Sequence, residues 1–363
     1  MNKYHSRHAS HHRRIWPVGL VIGLMMVVLL IVGIHHSINT TASQMMTTNS
    51  RSLPKKLRNG QPFTVLVMGT DVGALGRGTA YAGNTDTMEL LTVNPKQKKI
   101  LMVAIPRDTL VRVNTKEGPD FVKINAAYVI GGAKQAKKQV AELLHVPVDY
   151  YVLTNMGTLK KVVNAVGGVT INNPFAFTYE GHHFKKGKQH LNGNEALKYS
   201  RMRYDDPNND YGRQERGQQI IQSAIVSFKE HGSLNAASQI MTAVQDGVRT
   251  DLPINQVGRL YLSYHPALTN TTHTHLQGKD AIIDDTSFQI APPKEMLRLS
   301  NLVRQTLEIS SQHSIDNYET RMYHQQHSWN GYNRLNFMLP NGASYNQPGS
   351  GIWHSREEDS SGI

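Results

Sequence analysis

FTVLVMGTDVGALGRGTAYAGNTDTMELLTVNPKQKKILMVAIPRD, residues 63–108, is the stretch that decides the fold. Phe63–Met68 is a short apolar run of strand character that ends in Gly69-Thr70-Asp71. A glycine-rich loop, Val72–Asn84, leads to Thr85-Asp86-Thr87, which opens a second strand over Met88–Val93. Asn94-Pro95 turns the chain. Ile100–Ile105 is a third strand, apolar on both faces and therefore central to its sheet. It stops at Pro106, and Arg107-Asp108 emerge at its end. Two carboxylates and an arginine thus stand at or beside strand ends, where the sites of α/β sheets are commonly built.

Downstream, strand and helix signals alternate. Ala133–Leu144 carries Ala136, Val140, Leu143 and Leu144 on one helical face, after Gly131-Gly132. Val148–Leu153 is strand-like, Leu159–Val166 helical, and Gly167-Gly168 separates that helix from a strand at Val169-Thr170-Ile171. Asn194–Tyr199 reads as a short helix and Gln214–Lys229 as a longer one. Leu234–Leu262 reads as two helices broken at Thr250–Pro253, Ala281–Ile290 as a strand returning to the sheet, and Lys294–Leu307 as a helix. This alternation predicts a three-layer α/β/α sandwich around a central sheet.

Upstream lies a different composition. Met1–Arg14 is polar and basic, and Ile15–Ile34 is an apolar run of about 20 residues without a charge, long enough to span a bilayer. The basic flank places the N-terminus in the cytoplasm. The run exceeds a usual signal h-region, and His35-His36-Ser37 is a poor cleavage site. The expected organisation is a cytoplasmic segment (1–14), a transmembrane signal anchor (15–34), an extracellular stalk (35–60) and an extracellular domain (61–311). Beyond it, 312–363 is rich in His, Gln, Asn, Ser and Gly with few branched apolar residues, and is expected to be a poorly ordered tail. The chain has 363 residues, no cysteine and a net charge of +12. The missing thiols exclude disulfides and thiolate metal sites, and the charge admits polyanionic partners without choosing among them.

A second stretch, ALKYSRMRYDDPNNDYGRQERGQQ at 196–219, gathers Arg201, Arg203, Arg213 and Arg216 around Asp205, Asp206 and Asp210. So many guanidinium groups are costly to collect unless an anion sits among them, and the planar fork of arginine suits phosphate. For an isolated run a solvated basic face is the commoner reading. Here Asp71 and Asp86, at neighbouring strand ends, have the residue type needed to hold a divalent cation bridging to phosphate. Turn or cap roles are equally open to two aspartates taken alone. Other chemistries lack support. Gly181–Lys188 has the wrong length for a P-loop, no HExxH occurs, and no Gly-x-Ser-x-Gly elbow occurs. His35-His36, His182-His183 and His273/His275 fit surface positions better than metal sites.

The motifs form an ordered set: LVMGTD (66–71), NTDTMELLTVNP (84–95), VAIPRDTLV (103–111) and KINAAYVIGG (123–132). VDYYVLTNMG (148–157), VVNAVGGVTI (162–171) and LNGNEALKYSRMR…NNDYGRQERGQQ (191–219) complete it. This set resembles the LytR-CpsA-Psr family of cell-wall ligases. The resemblance covers about residues 60–230. It implies an α/β/α domain with a central mixed sheet, outside the cytoplasmic membrane. It also implies transfer of an anionic glycopolymer, of teichoic acid or capsule type, from undecaprenyl pyrophosphate to peptidoglycan, with Mg²⁺ (or Mn²⁺) at the pyrophosphate. By position, Asp71 and Asp86 match the family's metal-associated aspartates. Arg107, Arg201, Arg203 and Arg213 match its pyrophosphate-binding arginines; Arg216 lies in the same motif, and Asp210 matches an aspartate that orients the arginines. Two departures stand out: Gly217 occupies a position where Gln is common, and Val72-Gly73 replaces a common Ser-Arg pair.

For the base that accepts the acceptor proton, Asp71, Asp108 and Asp210 are candidates, and Asp71 ranks first because it stands at the metal end. A pyrophosphatase acting on the same lipid would need the same residues. A non-catalytic protein binding polyprenyl lipid or wall polymer would tolerate loss of Arg107 or Asp86. A DNA-binding regulator is disfavoured, and nucleic acid is not an expected partner, because the anchor directs the basic domain away from DNA.

Overall fold

The computed structural model describes residues 46–47, 53–70, 83–115, 118–202, 206–207, 212, 215–217, 219–220, 223–224, 227, 244, 247–254, 257–331, 333–340, 343 and 345. The expected anchor at 15–34 lies outside them. Among the described residues no helix is long and apolar enough to cross a membrane.

The opening strands form as the apolar runs dictate: β1 (Phe63–Thr70), β2 (Thr85–Asn94) and β3 (Lys99–Ala104). A hairpin of β4 (Leu110–Thr115) and β5 (Gly118–Lys123) follows. Helix α1 (Ala127–Leu144) starts six residues before the expected Ala133 and is kinked at Gly131-Gly132, where Gly132 takes φ +65°. Then come β6 (Tyr150–Asn155) and α2 (Met156–Ala165), the latter capped by the Asn155 side chain accepting from the Thr158 N–H. The next segment contains β7 (Val169–Asn173), β8 (Phe177–Tyr179), β9 (His182–Phe184), β10 (Gly187–Leu191) and α3 (Gly193–Arg201). Helix α3 opens with a capping box between Asn192 and Glu195. The last elements are β11 (Val248–Thr250), α4 (Val257–Tyr264), β12 (Asn270–His275), β13 (Lys279–Ile283), β14 (Thr286–Ile290), α5 (Pro293–Thr306) and α6 (Tyr318–His324).

Six strands form a central mixed sheet in the order β11-β6-β1-β2-β3-β12. β1 is parallel to β6 and antiparallel to β2, β2 is antiparallel to β3, and β3 is parallel to β12. Strands β1, β3, β6 and β12 therefore run the same way, and their C-terminal ends lie at the edge where β2 begins. The pleat sends alternate residues to opposite faces. Val65, Val67, Leu91, Met102 and Val152 join a core with α2, α3 and α4. Leu66, Met68, Leu90, Val103 and Leu153 join another with α1 and α5.

Two expectations need correction. Residues 281–290 do not return to the main sheet as one strand. They belong to a separate hairpin of β13 and β14, turned at Asp284-Asp285, whose φ values of +47° and +58° suit a tight two-residue turn. The sheet's edge is instead filled by β12, a polar segment read as no strand from the sequence. Nor is the chain after 311 a poorly ordered tail throughout. Trp329, Phe337, Leu339 and Met322 are buried in a third core with Leu110, Phe121, Phe288 and Ile290. Polar bonds lock the same segment down. The Trp329 indole N–H donates to the Asp280 carbonyl at 3.1 Å, and buried Glu319 accepts from the Arg112 N–H at 3.0 Å. Isolated apolar residues in a polar sequence become structural here because the 279–290 hairpin offers them a surface. Residues 346–363 lie outside the described set.

Candidate functional site

Asp86 is the second residue of β2, and Arg107 follows the end of β3 by three residues. The antiparallel pairing of these strands brings the two together. Arg107 Nη1 lies 2.5 Å from Asp86 Oδ1, with both side chains about one-quarter exposed at 24% and 23%. Asp108 continues the chain of charges: its Oδ2 is 3.6 Å from Arg107 Nε, and its Oδ1 is 2.8 Å from Lys123 Nζ. Lys123 ends β5 and was not singled out by the sequence reading, although it opens the KINAAYVIGG motif. The cluster of two aspartates and two cations is electrically balanced without substrate. A bound anion would enter by taking over part of the Arg107 fork from Asp86.

The loop that carries Arg107 is fixed by its backbone. The Asn125 N–H donates to the Arg107 carbonyl at 3.2 Å, the Gln289 N–H to the Asp108 carbonyl at 2.9 Å, and the Ile124 N–H to the Thr109 carbonyl at 2.8 Å. The Thr109 hydroxyl closes the turn onto the Pro106 carbonyl at 2.7 Å. Strand β14 thereby ties the third core to the loop of Arg107, which gives the segment beyond 311 an indirect bearing on the site.

The remaining expected residues separate into three groups. Arg201 ends α3, where the helix dipole favours a cation, and its Nη1 lies 3.0 Å from Glu180 Oε1. Glu180 takes φ +46° at the turn between β8 and β9. Asp71, Arg203, Asp210 and Arg213 lie outside the described residues. Arg216 is a correction. It is 2% exposed, pairs with buried Asp206, and donates to the carbonyls of Tyr199 and Met202. Its guanidinium lies 5.5 Å from the Phe177 ring centre. A fork used on three internal acceptors is a tie between the 215–217 turn of helix and the end of α3, not a phosphate ligand.

Of the histidine pairs, His273/His275 differs from the expected surface position, whereas His35-His36 lies outside the described residues. His273 and His275 stand on β12, and burial pushes each down to about 4. Glu89 is fully buried in β2, and burial drives its carboxyl well above the usual range.

For a metal, the donor chemistry fits in part. Among the described residues no group of three or more His, Asp or Glu is placed to hold one. A magnesium ion asks for only one or two carboxylates, with phosphate oxygens and water completing its shell. Asp86, quarter-exposed and bound to Arg107 through Oδ1, meets that need with its second oxygen.

Comparison with known proteins places this geometry in context. The chain matches the model of the LytR_cpsA_psr family over residues 32–305. It is 36% identical over 295 residues to an Enterococcus faecalis polyisoprenyl-teichoic acid–peptidoglycan teichoic acid transferase TagU, covering 79% of this chain and 96% of that one. It is 34% identical over 303 residues to the protein of the same name from Halalkalibacterium halodurans, covering 81% and 98%. The crystal structure of protein gbs0355 from Streptococcus agalactiae superposes with a TM-score of 0.68 at 33% identity, over 77% of this chain and 100% of that one.

Proposed function

Because the chain belongs to the LytR_cpsA_psr family, we propose that it is a phosphotransferase that moves an anionic glycopolymer from undecaprenyl pyrophosphate to peptidoglycan. The polymer is of teichoic acid or capsule type, and the names of its relatives support teichoic acid. Residues 15–34 would hold the chain in the cytoplasmic membrane, with the domain outside.

The observation that carries this reading is the Asp86–Arg107 pair at the shared end of β2 and β3. Phosphoryl transfer asks mainly for positioning and for charge opposite the phosphate oxygens. Arg107 supplies a planar, permanently charged fork on a loop held by three backbone bonds. An acceptor sugar hydroxyl attacks the phosphorus that bears the glycan. A new P–O bond forms, the bond to the second phosphate breaks, and undecaprenyl phosphate leaves with the electron pair. Arg107 meets the charge that builds on the phosphate oxygens in that step. Arg201, Arg203 and Arg213 would hold the remaining charge. Asp86, with Asp71, would hold Mg²⁺ or Mn²⁺, which when bound neutralises phosphate charge. The hydroxyl proton goes to a carboxylate. Asp108 already faces Lys123 and Arg107, which favours Asp71 over it.

The test is to incubate the full chain in detergent with a polyprenyl-pyrophosphate-linked sugar, Mg²⁺ and a soluble peptidoglycan oligomer, beside Arg107→Ala. Glycan on the oligomer, lost in the variant, is the expected result. Lipid phosphate released without transfer would replace the ligase by a pyrophosphatase. Tight lipid binding without turnover would leave a binding protein.

A further inference from the structure

Among the described residues, two polar side chains on the inner side of the site make no side-chain hydrogen bond. Glu89 is 0% exposed, and both its carboxyl oxygens lack a hydrogen bond. Thr154 Oγ1, on β6, is likewise sealed without one. Burying polar atoms unbonded is costly, and native structures keep few of them.

Register shows that the two belong together. Glu89 pairs with Val67 on β1 and Ala104 on β3, while Thr154 pairs with Gly69 on β1 and Val248 on β11. Cross-strand partners share a face, so Glu89 and Thr154 both lie on the face of Val65, Val67, Leu91 and Val152. They occupy adjacent rows, with Gly69 bare of a side chain between their strands. Room there is already tight, since a Cβ on Gly69 would stand 3.2 Å from Thr87 Cβ. Asp86 lies three residues nearer the strand end than Glu89, up to about 10 Å away, and is the extra residue of a bulge: Thr87 faces Gly69 and Thr85 faces Thr70, so the simple alternation of faces stops there.

We propose that Glu89 and Thr154 donate hydrogen bonds to the phosphate that carries the lipid chain, inward of the Asp86–Arg107 pair. This rests on the reading of the chain as a transferase of lipid-linked polymer. A prenyl pyrophosphate changes from charged to apolar at that phosphate. The sheet changes from charged to apolar at these rows: Asp86 and Arg107 outside, Val67, Val152 and Leu91 inside. A buried carboxyl kept neutral is a donor, so it can face a phosphate oxygen without adding a like charge. Thr154 adds a hydroxyl donor from the far side of Gly69. Both are substrate-positioning groups, and neither exchanges a proton with the reacting atoms.

The experiment uses the full chain in detergent and four proteins: wild type, Glu89→Met, Glu89→Gln and Thr154→Val. Affinity for a fluorescent prenyl pyrophosphate and transfer to peptidoglycan oligomer are read beside melting temperature. Glu89→Met should melt higher, because it removes an unbonded buried carboxyl, yet bind the lipid roughly 10- to 100-fold more weakly. Glu89→Gln keeps an N–H donor and should recover most of that loss. Thr154→Val should weaken binding about 3- to 10-fold. A merely structural Glu89 would predict that the more stable Met variant binds and turns over as well as wild type, and that result overturns the proposal. So does a Gln variant as weak as Met. If the wild type neither binds the lipid nor transfers glycan, the transferase reading itself fails and this inference falls with it.

Discussion

Arg216 offers the sharpest test of the difference between a site arginine and a structural one. Its guanidinium is 2% exposed and holds Asp206 together with the carbonyls of Tyr199 and Met202. Gly212 packs directly on the Asp206 carboxylate, where a Cβ has no room. Asp206→Ala would leave the guanidinium buried without its counter-charge. Removing one partner of such a pair costs about 3–5 kcal/mol, a large share of a domain stability of about 5–15 kcal/mol. Replacing both by apolar residues of similar volume is often neutral or stabilising. Asp206→Leu with Arg216→Met should therefore recover most of the loss, apart from the two carbonyls left behind at roughly 1–3 kcal/mol each. Urea unfolding of the full chain, followed by the shift in midpoint at unchanged slope, measures both steps. Lipid pyrophosphate binding by the folded double variant completes the assay. The reasoning is refuted if Asp206→Ala costs less than about 1 kcal/mol. It is equally refuted if the double variant is as stable as wild type but no longer binds pyrophosphate, since Arg216 would then be a ligand.

Three further outcomes are expected. Arg107→Ala should lower transfer by about 10²- to 10³-fold while changing stability by no more than about 1 kcal/mol, because the pair with Asp86 is partly exposed; activity and unfolding midpoints check it together. Trp329→Ala should cost about 3–5 kcal/mol, and truncation after residue 311 should uncover Phe288 and Ile290 and yield aggregated protein, as light scattering would show. The third concerns acid. His273 and His275 fall to about 4 in the folded chain from an ordinary 6.5, through burial. The unfolded chain gains these protons first as pH drops, so their contribution is complete above about 6.5 and is lost toward 4. Melting curves across that range should fall less steeply in His273→Gln than in wild type; equal slopes would count against the buried state of His273.

The strands of the central sheet were legible because their signals are local. Apolar runs at 63–68, 88–93 and 100–105 are bounded by Gly69, Asn94-Pro95 and Pro106, and each became a strand. The same locality placed Asp86 and Arg107 at strand ends. Their 2.5 Å contact required the antiparallel pairing of β2 with β3 as well. Strand β12 was not legible, because Asn270–His275 is polar and lies at the sheet's edge, so no alternation marks it.

Residue types and spacing determined the backbone of the sheet, the α/β class and the membership of a family whose motifs are contiguous. Tertiary structure alone decided which arginine is a ligand candidate and which is an internal tie. Arg201 and Arg216 read alike in sequence, yet one faces Glu180 near the surface and the other lies buried between Asp206 and two carbonyls. It also decided that Trp329 and Phe337 are core residues, since their burial depends on a hairpin some 40 to 50 residues earlier. Backbone preference is written in neighbouring residues, whereas the surroundings of a side chain are set by whichever distant segments the fold packs against it.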